Sequence, residues 1–271
     1  MELARDSLDI QVAQTAFRMR ILQSWGVPEG ARVLEVGCGQ GDMTAVLADA
    51  VGPSGHIYAV DNAEPEYGCP VTLGDSLCKL KASIIGERIE YHLNYDILNR
   101  QNTFADDAFD CVVFAHCSWY FDSYDVLRRT LLRVRPWTRR LFFSEWDMTP
   151  SSMDQVAHML AISIQGQIGC YNSRAGNNAR SPISKLLFEE LLVETGWELV
   201  SNETLPADGL QNANWEILNC LVSSMKEAEL LDMPPKLMQM LRSQTDTLSI
   251  IAGNNTNRTL DTYSIVADRA N

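Results

Sequence analysis

The chain has 271 residues, which is long for one domain but acceptable for a single α/β domain that carries insertions. A formal net charge of −13 argues against a nucleic-acid partner, because binding to phosphates depends on clustered Lys and Arg side chains. The seven cysteines form no C-x-x-C pair, and no stretch is apolar enough to cross a membrane. We therefore expect a cytoplasmic protein with no zinc site, no disulfide framework and no membrane partner.

The N-terminal segment carries apolar side chains at spacings of three and four residues over 9–25, which predicts an amphipathic helix that ends at Gly26. After a turn, Ala31 begins the first predicted strand. The strand therefore follows the helix closely.

The most informative stretch runs from residue 33 to residue 44 and reads VLEVGCGQGDMT. An apolar run meets three alternating glycines, Gly37, Gly39 and Gly41, which predicts a strand, a tight turn and the start of a helix over 42–51. A dinucleotide-binding turn has the spacing G-x-G-x-x-G, whereas the third glycine here, Gly41, comes one residue earlier. The Asp42 carboxylate is also unfavourable next to a negatively charged pyrophosphate. An NAD site is therefore disfavoured.

This turn resembles the first motif of the class I S-adenosylmethionine-dependent methyltransferases, in which an acidic residue stands two positions before G-x-G-x-G. The residues that carry the resemblance are Glu35, Gly37, Cys38, Gly39 and Gly41. The resemblance implies a doubly wound α/β fold with a mostly parallel seven-stranded sheet, S-adenosylmethionine as cofactor and S-adenosylhomocysteine as product. In related methyltransferases a leading helix covers the site, which makes Gln14 and Arg18 candidate lid residues; a solvated helix face is the alternative.

The second predicted strand, His56 to Val60, ends at Asp61. A carboxylate about 20 residues beyond a glycine turn, at the end of the next strand, is placed to accept hydrogen bonds from ribose hydroxyls. The resemblance agrees, since Asp61 occupies the ribose-binding position of the family and Asn62 follows it. A turn aspartate that caps the next segment is the alternative.

A helix from near Ser76 through Ile85 is predicted next, followed by a third strand over 89–93. Family members commonly place an acid just after this strand to hold the adenine amino group. The resemblance therefore implies this role for Asp96, with Ile97 packed on the adenine ring.

Residues 109–121, FDCVVFAHCSWYF, predict a buried fourth strand with an unusual end. Ligands of doubly wound sheets bind at the carboxyl ends of the strands, which makes Ala115 and His116 candidate cofactor contacts. An imidazole suits a general base, so His116 is also a candidate catalytic base; a positioning role is the alternative. Trp119 and Tyr120 are candidate substrate-stacking residues or core aromatics. A helix is predicted from Asp122 or Ser123 through Arg133.

The fifth predicted strand, 140–144, is followed by Glu145, Trp146 and Asp147. An acidic and aromatic pocket attracts a protonated amine through charge and cation–π contacts. Glu145 and Asp147 are therefore candidate catalytic groups that orient an amine, and Trp146 is a candidate substrate contact. Turn carboxylates exposed to water are the alternative.

The C-terminal half departs from the family's strand–helix rhythm. Residues 149–180 predict a helix capped near Ser151 or Ser152 and a polar loop over 171–180, with His158, Gln165 and Tyr171 as candidate pocket residues. A helix that starts at Ser181-Pro182 and a sixth strand, 197–205, follow. Two helices, 214–231 and 235–251, then carry the candidate substrate residue Trp215, and the last strand, 262–267, is antiparallel if the resemblance holds.

These patterns divide the chain into a cofactor-binding Rossmann-like core with a lid helix (1–148), a cap insertion (149–180), a core helix and strand six (181–205), a helical insertion that is either a cap or a homodimer contact (206–260) and a last core strand (261–271). The resemblance implies a methyltransferase that acts on a nitrogen or oxygen of a small molecule by in-line displacement and without a metal. One alternative is an enzyme that binds S-adenosylmethionine without donating its methyl group. The other is a non-enzymatic regulatory relative, which the intact glycines and Asp61 disfavour.

Overall fold

The computed structural model describes residues 2–68, 70–172, 181–254 and 256–270. Within these ranges the chain forms one seven-stranded sheet. Its strands are β1 (Arg32–Val36), β2 (His56–Val60), β3 (Ile89–His92), β4 (Cys111–Ala115), β5 (Arg140–Trp146), β6 (Trp197–Leu205) and β7 (Thr262–Arg269). The α-helices are α1 (Glu2–Trp25), α2 (Asp42–Ala50), α3 (Leu73–Lys81), α4 (Tyr124–Val134), α5 (Val156–Gly169), α6 (Lys185–Glu194), α7 (Asn212–Asn219), α8 (Met225–Ala228) and α9 (Pro235–Asn254).

The strand order is β3-β2-β1-β4-β5-β7-β6. Strands β1 to β5 pair in parallel, whereas β7 is antiparallel to both β5 and β6. The predicted fold, a mostly parallel seven-stranded α/β sheet, is therefore confirmed. The order reverses between β1 and β4, and the carboxyl ends of strands beside such a switch point form the usual ligand crevice of this architecture.

The central strands are buried on both faces, as their unbroken apolar runs require in a parallel sheet that helices cover on each side. Residues 111–114 of β4 are at most 1% exposed, and Phe142 and Phe143 of β5 are fully buried on opposite faces of the sheet. The Phe142 ring stacks on Trp25 of α1, while Phe143 stacks on Phe188 of α6. The rigid sheet thus fixes where its polar strand ends lie.

A second hydrophobic cluster lies outside the sheet, where α5 packs against α7 and α9. Ala161, Ile164 and Ile168 of α5 are fully buried there, together with Leu241 and Leu248 of α9. The first of the two helices predicted after β6 begins as α7 and passes through a π-helical turn, Cys220–Ser224, into α8. These helices therefore share a core with α5.

Several predicted boundaries are wrong because local caps decide them. Helix α3 starts at Leu73 rather than near Ser76, since the Thr72 hydroxyl accepts a hydrogen bond from the Asp75 N–H at 3.1 Å. Helix α6 starts at Lys185 rather than at Ser181, because the Ser184 hydroxyl accepts from the Leu187 N–H at 3.3 Å. The helix expected after β4 does start beyond Ser123, whose hydroxyl caps it.

Strand β5 also runs two residues further than predicted. Its pairing with β7 continues to Trp146, which lies opposite Thr262, so Glu145 and Trp146 belong to the strand and not to a turn after it. The polar loop predicted over 171–180 falls, from residue 173 onward, outside the described residues. Within the described ranges, no helix is long and apolar enough to cross a membrane.

Candidate active site

The glycine turn between β1 and α2 has left-handed backbone at all three glycines, with φ of +77° at Gly37, +53° at Gly39 and +86° at Gly41. A Cβ on Gly37 would lie 2.6 Å from the Cβ of Cys117, and one on Gly41 would lie 2.8 Å from the Leu77 side chain. A Cβ on Gly39 would meet nothing within 4 Å. Two glycines therefore permit close packing, while the middle one borders open space that a ligand can fill.

Asp61 follows β2 and reaches back to this turn. Its Oδ2 accepts a hydrogen bond from the Gly39 N–H at 2.8 Å, and its Oδ1 accepts one from the Ala63 N–H at 2.9 Å. A carboxylate offers about four acceptor positions, so both oxygens can still accept from a ligand. Asn62 is exposed beside it. The main chain thus fixes the carboxylate next to the open space at Gly39.

Glu35 lies near the end of β1 and is only 1% exposed, with no hydrogen-bond partner for its Oε2 among the described residues. Burial, together with the nearby negative charge of Asp61, raises the pKa of Glu35 to about 8. A buried carboxyl oxygen without a hydrogen-bond partner lowers the stability of the folded chain. Together with the space at Gly39 and the Asp61 carboxylate, it fits a ligand that carries hydroxyl and ammonium donors, as S-adenosylmethionine does.

Helix α1 lies over this region and contacts both the start of α2 and the cap. Arg18 forms an ion pair with Asp42 at 3.1 Å, and Gln11 donates to the same carboxylate at 3.1 Å. The Gln14 amide donates to the Asn212 side chain of α7 at 2.7 Å. The predicted candidate lid residues are therefore engaged with the two sides of the site rather than with solvent.

The predicted adenine-binding residues lie after β3, at the same edge of the sheet. Asp96 is exposed, and its Oδ1 accepts a hydrogen bond from the Leu98 N–H at 2.8 Å. Ile97 is 8% exposed and packs into the main core. Among the described residues no hydrogen bond joins the Asp96 carboxylate to the glycine turn, and the roles of Asp96 and Ile97 stay predictions.

His116 follows Ala115 at the end of β4 and has a φ of +50°, which is unusual for a residue other than glycine. Its Nδ1 lies 3.5 Å from Oε1 of Glu145, and neither ring nitrogen has a hydrogen-bond partner among the described residues. The ring packs on Trp146 at a centroid distance of 4.1 Å. Strained backbone of this kind is often found at functional sites.

Glu145 is buried and accepts three hydrogen bonds, two of which hold the chain after β4. Its Oε2 accepts from the N–H and hydroxyl of Ser118 at 3.0 and 2.7 Å, and its Oε1 accepts from the Trp146 N–H at 3.0 Å. Asp147 is partly buried, and its Oδ1 accepts from the Thr149 N–H at 2.9 Å. Both carboxylates are therefore engaged with the protein, and neither is a freely solvated turn residue.

Several aromatic side chains pack around His116 and Trp146. Trp146 stacks on Phe17 of α1, with ring centroids 5.9 Å apart, and meets the ring of His158 edge-on at 6.4 Å. His158 is fully buried, its Nδ1 accepts from the Leu260 N–H at 3.0 Å, and burial lowers its pKa to about 3. His158 is therefore neutral, with its proton on Nε2, which has no partner among the described residues.

The other predicted substrate residues differ in exposure. Trp119 is 5% exposed, Tyr120 is 46% exposed and Trp215 is 48% exposed. Both Trp119 and Tyr120 lie in a 3-10 turn, Ser118–Tyr120, just beyond His116. Tyr120 is thus the accessible aromatic residue of that turn, and Trp119 packs inward.

The sequence did not single out Phe17, Asn212 and Glu216 as site residues. Glu216 accepts a hydrogen bond from Gln165 of α5 at 3.0 Å. Asn212 and Glu216 are four residues apart on α7, a spacing that places them on one helix face. That spacing was the available signal, but polar residues on an amphipathic helix ordinarily mark its solvated face.

The strand order, the glycine turn and Asp61 together define a class I methyltransferase-like site at the carboxyl edge of the sheet. A family model described as "Methyltransferase domain" matches residues 11–202, and the chain belongs to this family. The family predicted from the residues is therefore confirmed. In the described ranges, no group of three or more His, Cys, Asp or Glu side chains is arranged to hold a metal ion.

Named proteins and solved structures resemble the chain over different lengths. The methyltransferase phomM' of Diaporthe leptostromiformis is 28% identical over 159 residues, which cover 51% of this chain and 41% of that protein. The chain thus spans about two fifths of that relative. A cyclopropane-fatty-acyl-phospholipid synthase-like protein from Lactobacillus casei is 32% identical, with a TM-score of 0.84 over 96% of this chain and 92% of that one. The [4+2]-cyclase SpnF shares the fold alone, at 12% identity and a TM-score of 0.56 over 94% of this chain and 80% of that one.

Proposed function

We propose that the chain is an S-adenosylmethionine-dependent methyltransferase that acts on a nitrogen or oxygen of a small molecule. The observation that carries the proposal is the glycine turn with its open space at Gly39, held next to the Asp61 carboxylate by a 2.8 Å hydrogen bond. Membership of the methyltransferase-domain family supports it.

The cofactor-binding residues have separate tasks in this proposal. Asp61 accepts hydrogen bonds from the ribose hydroxyls, and Gly39 lets the ligand approach the main chain. Asp96 and Ile97 receive the adenine, and Glu35 orients the amino-acid end. The remaining contacts to the cofactor come from Gly37, Cys38, Gly41, Asn62, Ala115 and His116.

When bound, S-adenosylmethionine supplies a methyl group on a positively charged sulfur. Because methyl transfer is an in-line displacement, the protein mainly aligns the acceptor and excludes water. We assign this task to Trp146 and Tyr120, with Trp119, His158 and Trp215 as further acceptor contacts. Helix α1 excludes water through the contacts of Arg18 and Gln14.

His116 is the proposed general base for a hydroxyl acceptor, since both ring nitrogens lack a partner among the described residues. Glu145 is then a positioning residue, because its Oε1 lies 3.5 Å from the His116 Nδ1 and its Oε2 binds Ser118. Asp147 stays a candidate for orienting an amine acceptor. Deprotonation of such an amine takes place in solvent.

A second candidate function is an enzyme that binds S-adenosylmethionine without donating its methyl group. The fold shared with a [4+2]-cyclase favours keeping this candidate, because that likeness shows that the fold alone does not decide the reaction.

The test is mass spectrometry of the protein after incubation with a cell extract and S-adenosylmethionine that carries a deuterated methyl group. We expect S-adenosylhomocysteine together with a metabolite that has gained the label, and NMR of that product locates the methyl group on nitrogen or on oxygen. Asp61→Ala is the control: loss of two charge-assisted hydrogen bonds, each about 1.5–3 kcal/mol, predicts at least a 100-fold loss of cofactor affinity in calorimetry. Intact cofactor in every extract favours the second candidate, and unchanged affinity of Asp61→Ala contradicts the cofactor site.

A further inference from the structure

A chain of amide hydrogen bonds holds the Glu216 carboxylate between two cap helices. Gln165 of α5 is fully buried, and its Nε2 donates to Oε2 of Glu216 at 3.0 Å. Its Oε1 accepts from the Nδ2 of Asn219 at 3.1 Å. Since Asn219 supplies a donor to Oε1, Gln165 must turn its NH₂ group toward Glu216. The carboxylate is therefore held in one position.

In the part of the chain that the structure describes, the Glu216 carboxylate has no positively charged partner. Burial raises its pKa, and the hydrogen bond from Gln165 acts in the opposite direction. Among the described residues, no Lys, Arg or His nitrogen forms an ion pair with it. A partly desolvated carboxylate is costly unless a cation or further donors meet it. A ligand that brings a positive charge would therefore be stabilised here.

Two observations relate this carboxylate to the acceptor side of the site. Asn212, one helical turn before Glu216 on the same face of α7, accepts a hydrogen bond from Gln14 of the lid helix at 2.7 Å. Burial of the Tyr120 hydroxyl raises its pKa, and the negative charges of Glu216 and Glu145 act in the same direction. Glu216 thus lies on the helix that contacts the lid, and its charge acts on the turn after β4.

An aromatic and acidic surrounding selects the chemistry of the ligand. Tyr120 is 46% exposed, so its ring face is accessible to a ligand. An aromatic ring face attracts a cation, as the Glu216 carboxylate does. We infer that Glu216, positioned by Gln165 and Asn219, recognises a protonated nitrogen of the methyl acceptor, and that this nitrogen is distinct from the methylated atom. A protonated nitrogen has no lone pair with which to attack the methyl group, so the methylated atom lies elsewhere in the same molecule. This inference rests on the proposed methyl transfer.

The experiment divides a cell extract on a cation-exchange column at neutral pH and offers both fractions, with the deuterated cofactor, to the whole protein. We expect labelled product from the retained, cationic fraction. Labelled product from the flow-through alone would overturn the inference while leaving methyl transfer intact. If neither fraction yields product, the proposed function itself fails and this inference falls with it.

Variants then test the residue with the acceptor isolated from that experiment. Glu216→Gln is expected to raise KM for the acceptor about 10-fold or more while kcat changes little, because one charge-assisted contact is lost in binding. Glu216→Asp should recover part of this loss. Glu198→Gln, an exposed glutamate of β6, is the matched control, and calorimetry with S-adenosylhomocysteine confirms that each variant is folded. Unchanged KM in Glu216→Gln would refute the role of this carboxylate.

Discussion

The cofactor side and the acceptor side of the site differ in what positions their functional groups. On the cofactor side, the main chain does most of the positioning: the Gly39 N–H fixes Asp61 at 2.8 Å, and left-handed glycines shape the turn. On the acceptor side, side chains on separate helices position one another, as Gln165 does for Glu216 at 3.0 Å. Main-chain sites require particular residues at fixed spacings, whereas side-chain networks between helices do not. The first kind therefore leaves a motif in the sequence and the second does not.

The largest effect is expected on the acceptor side, from His116→Asn. Asparagine tolerates the left-handed backbone at this position, so the variant should fold, while loss of a general base predicts about a 100-fold to 10,000-fold lower kcat for a hydroxyl acceptor. Steady-state kinetics and a thermal melt measure the two consequences separately. Unchanged kcat would leave His116 with a positioning role only.

A pair of substitutions tests whether the cofactor side is as dependent on its main chain as the structure indicates. In Gly37→Ala the new Cβ lies 2.6 Å from the Cys117 Cβ at a φ of +77°, so strain and overpacking should lower the free energy of unfolding by about 2–5 kcal/mol.

The partner substitution, Gly39→Ala, meets no atom within 4 Å and should cost only about 1–2 kcal/mol of backbone strain. Its methyl group enters the space assigned to the ligand, so cofactor affinity should fall more than stability does. Chemical denaturation and calorimetry on both variants give the comparison. Normal cofactor affinity in Gly39→Ala would show that the open space is not the binding site.

A final prediction concerns pH and the buried Glu35 carboxyl. Burial raises the pKa of Glu35 from 4.5 to about 8, so in this range the folded chain holds a proton that the unfolded chain has lost. The contribution of Glu35 to the free energy of unfolding is thus fully present below pH 4.5, the pKa of the unfolded chain. It is lost as the pH rises through about 8, the pKa of the folded chain. Without cofactor, denaturation midpoints of the natural chain should fall more steeply than those of Glu35→Gln between about pH 5 and about pH 8. Parallel pH curves for the two proteins would contradict the burial argument.

Sequence reasoning reached furthest where a physical constraint leaves few choices. The glycine turn, β2 ending at Asp61 and the antiparallel last strand could all be predicted, the last by resemblance. The predicted starts of helices were wrong where one capping hydroxyl, and not the apolar pattern, determines the first residue, as Thr72 does for α3. Glu145 was predicted after its strand because the length of β5 depends on its pairing with β7, where Glu145 lies opposite Tyr263, far along the chain. Glu216 was not singled out, since its partner Gln165 is 51 residues away on another helix.

Helix α1 touches both sides of the site at once, through Arg18 on Asp42 and Gln14 on Asn212. Each contact is a single polar pair at the end of a long side chain, whereas the C-terminal part of the helix is anchored by buried aromatic rings such as Trp25 on Phe142. Phe17, which lies between Gln14 and Arg18, is also buried and stacks on Trp146, so the packed part of the helix extends as far as these two polar contacts. One helix therefore joins the cofactor side to the acceptor side, and a change in its position would alter both sides together.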